Sequence, residues 1–195
     1  LNIIFEEDPV RMLRAIKYSA TTGFKIPLKL HNKIRKSAHL LSPISPSRLT
    51  EELLKIINSG NSYKIVKNAL KTDLYIYLQP SATALMYSNK EYEKKYLEKL
   101  KELDELHSIQ PNVRLGEKLV FLIQDFISNL TDWDEEIKTN NNSGELYSKT
   151  WKQCRHFVLP MNPQRTELEY AIKFSLKKIG VKLKNPKKKN KEVAK

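Results

Sequence analysis

Apolar residues recur at helical spacing along nearly the whole of this 195-residue chain, and the strict alternation that marks a half-buried strand is absent. An all-α fold follows. Asp8 before Pro9 reads as an N-cap with Pro at the first helical position, and Val10, Leu13, Ile16, Lys17 and Ala20 continue a stripe to a stop at Gly23. Leu30, Ile34, Ala38 and Leu41 form a second stripe that ends before Pro43. Ser45-Pro46 repeats the start signal for a helix carrying Leu49, Leu53, Ile56 and Ile57 as far as Gly60, and Tyr63, Val66, Ala69 and Leu70 define a fourth. The apolar run from Leu74 to Leu78 fits either conformation, and Ser81 to Ser88 reads as a looser segment. Beyond it the pattern predicts a long charged helix from about Lys90 to His107. A strongly apolar helix through Leu115, Leu119, Leu122, Phe126 and Leu130 follows, then one carrying Tyr147, Trp151 and Cys154, and a last one through Leu168, Ala171, Ile172 and Ile179. Asn140 to Gly144 has the composition of an exposed loop.

With 40% hydrophobic residues the chain can bury a real core. The pattern divides it into a helical unit over 1–80, a second helical body with its own core over 81–180, and a basic tail over 181–195. Thirty-five Lys and Arg against 22 Asp and Glu give a net charge of +13, which favours a polyanionic partner. Nine lysines and one glutamate lie between Lys177 and Lys195, so that stretch carries +8 of the total. Cys154 is the single cysteine, so neither an internal disulfide nor a cysteine-based zinc site can form, as suits a reducing cytoplasm. No apolar run is long enough to span a membrane. The chain begins at Leu1, a few residues before its most informative segment, and reads as a fragment of something longer.

That segment is Glu7-Asp8-Pro9-Val10-Arg11-Met12-Leu13-Arg14-Ala15. On a helix starting at Asp8, positions 8, 11 and 14 share a face, so one carboxylate and two guanidiniums project together. A carboxylate accepts and a guanidinium donates. The pair matches the Watson-Crick edge of adenine, whose exocyclic amine donates and whose ring N1 accepts; cytosine presents a similar edge. A plainer reading of the same residues is a helix cap with an i, i+3 ion pair, worth about 0.3–0.5 kcal/mol at a surface.

The segment, followed by Ile16-Lys17-Tyr18 and Gly23-Phe24, resembles the nucleotide-recognition motif of class II poly(A) polymerases and tRNA nucleotidyltransferases. Ser45-Pro46-Ser47-Arg48-Leu49-Thr50-Glu51-Glu52-Leu53 resembles the next motif of that family, and the likeness extends over residues 4–80. It implies the helical neck and body of such an enzyme, with Asp8 and Arg11 selecting the incoming base. Arg14 would hold phosphates or brace the helix, and Glu7, Arg48 and Glu52 would support the motif.

The resemblance also implies that the catalytic α/β head, with its Mg²⁺-binding carboxylates, lies outside this chain. No catalytic residue and no metal ligand is expected here, and Asp132, Asp134, Glu135 and Glu136 read as a solvated run. Three functions remain open: the nucleotide-selecting and RNA-binding part of an enzyme adding AMP from ATP to RNA 3′ ends, the same part of an enzyme adding CCA or A to tRNA, and a stand-alone helical RNA-binding module. Under the first two, Lys182, Lys184, Lys187, Lys188 and Lys189 would hold RNA phosphates. The oligomeric state is not legible.

Overall fold

A computed structural model describes residues 2–139 and 142–183. Among them are twelve α-helices, one short 3₁₀ turn and no strand: α1 (Asn2–Glu7), α2 (Val10–Thr22), α3 (Leu28–Ser37) running into the 3₁₀ turn Ala38–Leu41, α4 (Pro46–Ile57), α5 (Ser62–Lys71), α6 (Tyr75–Leu78), α7 (Pro80–Ser88), α8 (Lys90–Ile109), α9 (Leu115–Ser128), α10 (Trp133–Thr139), α11 (Ser143–Phe157) and α12 (Arg165–Ile179). The fold is all-α.

Several helix ends follow the sequence closely. Pro46 opens α4 and the Ser45 hydroxyl accepts from the Arg48 amide. Gly23 closes α2 in the left-handed conformation, φ 78°, with its amide bonded to the Ser19 carbonyl. The start of α2 differs from expectation. A short helix precedes it, and the Asp8 amide closes that helix on the Ile4 carbonyl (3.3 Å), so α2 begins at Val10 and the Asp8 carboxylate caps nothing. Freed from capping, it turns toward arginines.

Other boundaries also shift. The segment expected to be loose is α7, opened by Pro80 and burying Ala82, Thr83 and Met86; its apolar residues lie all round the helix, which removes the one-sided pattern. The acidic run is α10: the Asp132 carboxylate accepts from the amides of Asp134 and Glu135, and Trp133 is buried, its indole donating to the Ile127 carbonyl. The expected loop from Asn140 to Gly144 is shorter, because the Asn142 side chain caps α11 at the Glu145 amide and Ser143 and Gly144 are already helical. Asn140 and Asn141 lie outside the described residues.

Buried side chains from Phe5 to Val181 form one contiguous core. The buried residues around α9 thus belong to the same cluster as those of the first helices, and α8 packs against α5, α7 and α9. Tyr96 of α8, fully buried, meets the Tyr75 hydroxyl of α6 at 2.6 Å. The tightest packing is between α9 and α12. A Cβ at Gly116 would come within 2.9 Å of the Glu167 carbonyl oxygen, so only glycine permits this approach. The Glu167 carboxylate takes the Gly116 amide at 2.5 Å and the Arg114 guanidinium at 2.8 Å. Arg114 and the Gly116 amide hold the Glu167 carboxyl below its ordinary range.

One carboxylate joins the two parts of the chain directly. Asp104 of α8 accepts from the Ser62 amide (2.7 Å), the Ser62 hydroxyl (2.7 Å) and the Tyr63 amide (3.0 Å), and so caps α5 from a distant helix. Replacing Asp104 with Ala should lower stability by about 1–2 kcal/mol. In urea titrations the midpoint should fall at unchanged m-value, and Asp104→Asn should recover part of the loss.

Candidate nucleotide and RNA interface

The turn between α1 and α2 presents Asp8 at the surface, its side chain 18% exposed. Its strongest partner comes from forty residues away: Arg48 of α4 donates from Nη2 to Oδ1 at 2.6 Å. Arg14 lies at 3.4 Å from Oδ2 and the Arg11 Nε at 3.8 Å, while Arg11 is also 4.0 Å from Glu7. One acid thus sits among three half-exposed guanidiniums. Arg11, half-exposed, stands at ion-pair rather than hydrogen-bond distance from both Glu7 and Asp8, and among the described residues its guanidinium makes no hydrogen bond. An ionised carboxylate has about four acceptor positions, so Asp8 can receive a further donor while bonded to Arg48.

Glu52, one helical turn beyond Arg48 on α4, supplies a second clasp. It is 2% exposed and accepts from Lys17 of α2 at 2.5 Å and from Lys55 at 2.8 Å. Burial opposes ionisation of Glu52, but the hydrogen bonds and charges of Lys17 and Lys55 outweigh it and hold the carboxyl below its ordinary value. Lys17 was not singled out from sequence. The signal for it was its place three residues after Arg14 on the same helical face.

A groove of about 530 Å³ lies at the opposite end of α2, beside Gly23 and Phe24, and is walled by α5. Of the C-terminal lysines, Lys182 is exposed just past α12; Lys184, Lys187, Lys188 and Lys189 lie outside the described residues. Among the described residues no group of three or more His, Cys, Asp or Glu side chains could hold a metal ion. The Asp132 carboxylate, just before α10, is engaged in capping that helix. Burial pushes the Cys154 thiol up to about 12, which keeps it an unreactive packing residue at pH 7. No helix among the described residues is long and apolar enough to cross a membrane.

Residues 23–86, which span α3 to most of α7, match a family described as "Probable RNA and SrmB-binding site of polymerase A". Similarity to individual proteins lies in the N-terminal part of the chain. It is 38% identical over 85 residues to poly(A) polymerase I of Escherichia coli O157:H7, which is 44% of this chain and 18% of that protein. Against poly(A) polymerase I of Salmonella typhimurium the identity is 36% over 85 residues, with the same two shares. The CCA-adding enzyme of Ligilactobacillus salivarius is 36% identical over 73 residues, 37% of this chain and 18% of that enzyme. The chain thus matches about a fifth of the length of these curated relatives. Arg48 and Glu52 fall inside the family stretch, and Asp8, Arg11 and Arg14 precede it.

Glu52 provides a pH test of the α2–α4 clasp. Its lowered pKa means that the stabilisation is complete above the ordinary value of 4.5 and is lost as pH falls through the lower folded value. Glu52→Gln should cost about 3 kcal/mol at pH 7, because Lys17 keeps its charge in a largely buried site. The variant's stability should also fall less steeply than that of the wild type below pH 4.5, as read from denaturation midpoints across the acid range.

Proposed function

We propose that this chain is the nucleotide-selecting and RNA-binding part of an enzyme that transfers AMP from ATP to RNA 3′ ends in the cytoplasm. The observation that carries the reading is the Asp8 carboxylate, bonded by Arg48 at 2.6 Å beside the half-exposed guanidinium of Arg11, which makes ion pairs but no hydrogen bond among the described residues. An acceptor and a donor side by side complement the adenine edge: the exocyclic amine would donate to Asp8 and ring N1 would accept from Arg11. Arg14 adds positive charge for the triphosphate. Mg²⁺ and its carboxylate ligands belong to a catalytic head outside these residues and supply the phosphoryl-transfer chemistry. The chain's own part is to choose the base and to grip the RNA, with Lys182, Lys184, Lys187, Lys188 and Lys189 adding salt-sensitive attraction to phosphates.

A second reading is CCA or A addition to tRNA, supported by the 36% identity to a CCA-adding enzyme and by cytosine's similar donor-acceptor edge. Product analysis separates the two. Polyadenylation requires the head-containing enzyme to extend generic RNA with AMP alone, whereas CCA addition requires strict use of tRNA lacking its terminal residues.

In that enzyme Arg11→Ala should reduce discrimination between ATP and GTP by about 10- to 100-fold, the value of one hydrogen bond to a charged group. RNA affinity should change little. Unaltered nucleotide choice in Arg11→Ala would remove Arg11 from the site.

A further inference from the structure

The groove at the far end of α2 has a chemistry of its own. Its walls include Phe24 and Lys25 from the α2–α3 loop and Tyr63, Lys64, Lys67 and Lys71 from α5, and no carboxylate is among its lining residues. Lys64, Lys67 and Lys71 are spaced three and four apart and share one exposed face of α5. Like charges at that spacing repel, so the face stabilises the folded chain less than a mixed one would. The arrangement suits an anion with repeated charges.

The aromatic side is equally well defined. Phe24 is 68% exposed, yet its backbone is fixed: the Ser19 hydroxyl donates to the Phe24 carbonyl at 2.5 Å, the Phe24 amide reaches the Thr22 hydroxyl at 3.4 Å, and Gly23 makes the turn. A single exposed ring is ordinary. Here the ring walls a lysine-lined groove, and Tyr18, 62% exposed, lies nearly parallel to it, with 5° between the planes and 6.4 Å between centroids. On the other wall the Lys67 ammonium sits 5.4 Å from the Tyr63 ring and Lys101 sits 4.6 Å from it, so an aromatic surface orders the cations.

We propose that this groove is a binding site for single-stranded RNA, with one base stacked on Phe24 and consecutive phosphates on Lys64, Lys67 and Lys71. Exposed rings beside a basic track are what an unpaired strand requires, because every base has a π-face and every linkage a negative charge. An acidic protein segment would use the lysines and leave the parallel rings without a role. The site is separate from Asp8: its lining on α2 begins at Ile16 and does not include Asp8, Arg11 or Arg14. The identity of the ligand rests on the RNA role proposed above; the groove itself does not depend on Asp8 or Arg11.

The test is fluorescence anisotropy of a labelled 12-nucleotide oligoadenylate with the 195-residue chain across a salt series. The triple variant Lys64→Gln, Lys67→Gln, Lys71→Gln should lower the slope of log K against log salt by about 2, at roughly 0.7 for each phosphate no longer neutralised. Phe24→Ala should weaken binding about tenfold and leave the slope unchanged. All four side chains are exposed, and matching thermal melts establish that the variants are folded. An unchanged slope in the triple variant, with wild-type binding intact, would overturn the groove assignment alone. Polyglutamate competing as well as oligoadenylate would reassign the groove to an acidic protein. No binding by the wild-type chain at any salt would instead sink the RNA role proposed above, and the groove's ligand with it.

Discussion

The contact of the candidate base-reading carboxylate with Arg48 depends on how α4 is fastened to α2. Two polar clasps from one face of α4 hold it there: Arg48 on Asp8 near the start of α2 and Glu52 on Lys17 further along. The inner clasp is buried and the outer one is wet, and the difference assigns their work. A buried pair contributes little net stability compared with apolar packing, but it penalises any arrangement in which one partner is left alone, and so selects a single register between the helices. The outer pair is weak as a source of stability. Its effect is on orientation, because it restrains one oxygen of a carboxylate whose other oxygen faces Arg14 and Arg11.

Most of the helices were legible in the sequence because their apolar residues fall on one face, as in α4 and α5. Those that were not legible failed for separate physical reasons. Helix α7 is apolar on several sides because it packs between α6 and α8, so it shows no stripe. Helix α10 is short and mostly charged, and its one anchor, Trp133, sits at its first position. The start of α2 was misplaced because Asp-Pro is a strong opening signal by itself, whereas here a preceding turn of helix had already engaged the Asp8 amide.

For the site, the grouping of Asp8 with Arg11 and Arg14 could be read from spacing, since it is local. The part played by Arg48 could not, because its bond to Asp8 depends on how two helices dock; only the likeness to a known motif pointed to it. The groove beside Phe24 was invisible for the same reason. Its lysines are regularly spaced on α5, but the ring that faces them arrives from a loop some forty residues earlier in the chain.

Helix α8 packs against α5 and α7 as well as against α9, and this has a bearing on how such a protein can be taken apart. A cut near residue 80 would strip α8 of some of these neighbours whichever piece kept it, and would leave the start of α5 without the carboxylate that finishes it. The portion carrying the matched stretch and the portion after it share buried contacts across α8. Any exchange of the C-terminal segment for another would have to preserve these contacts.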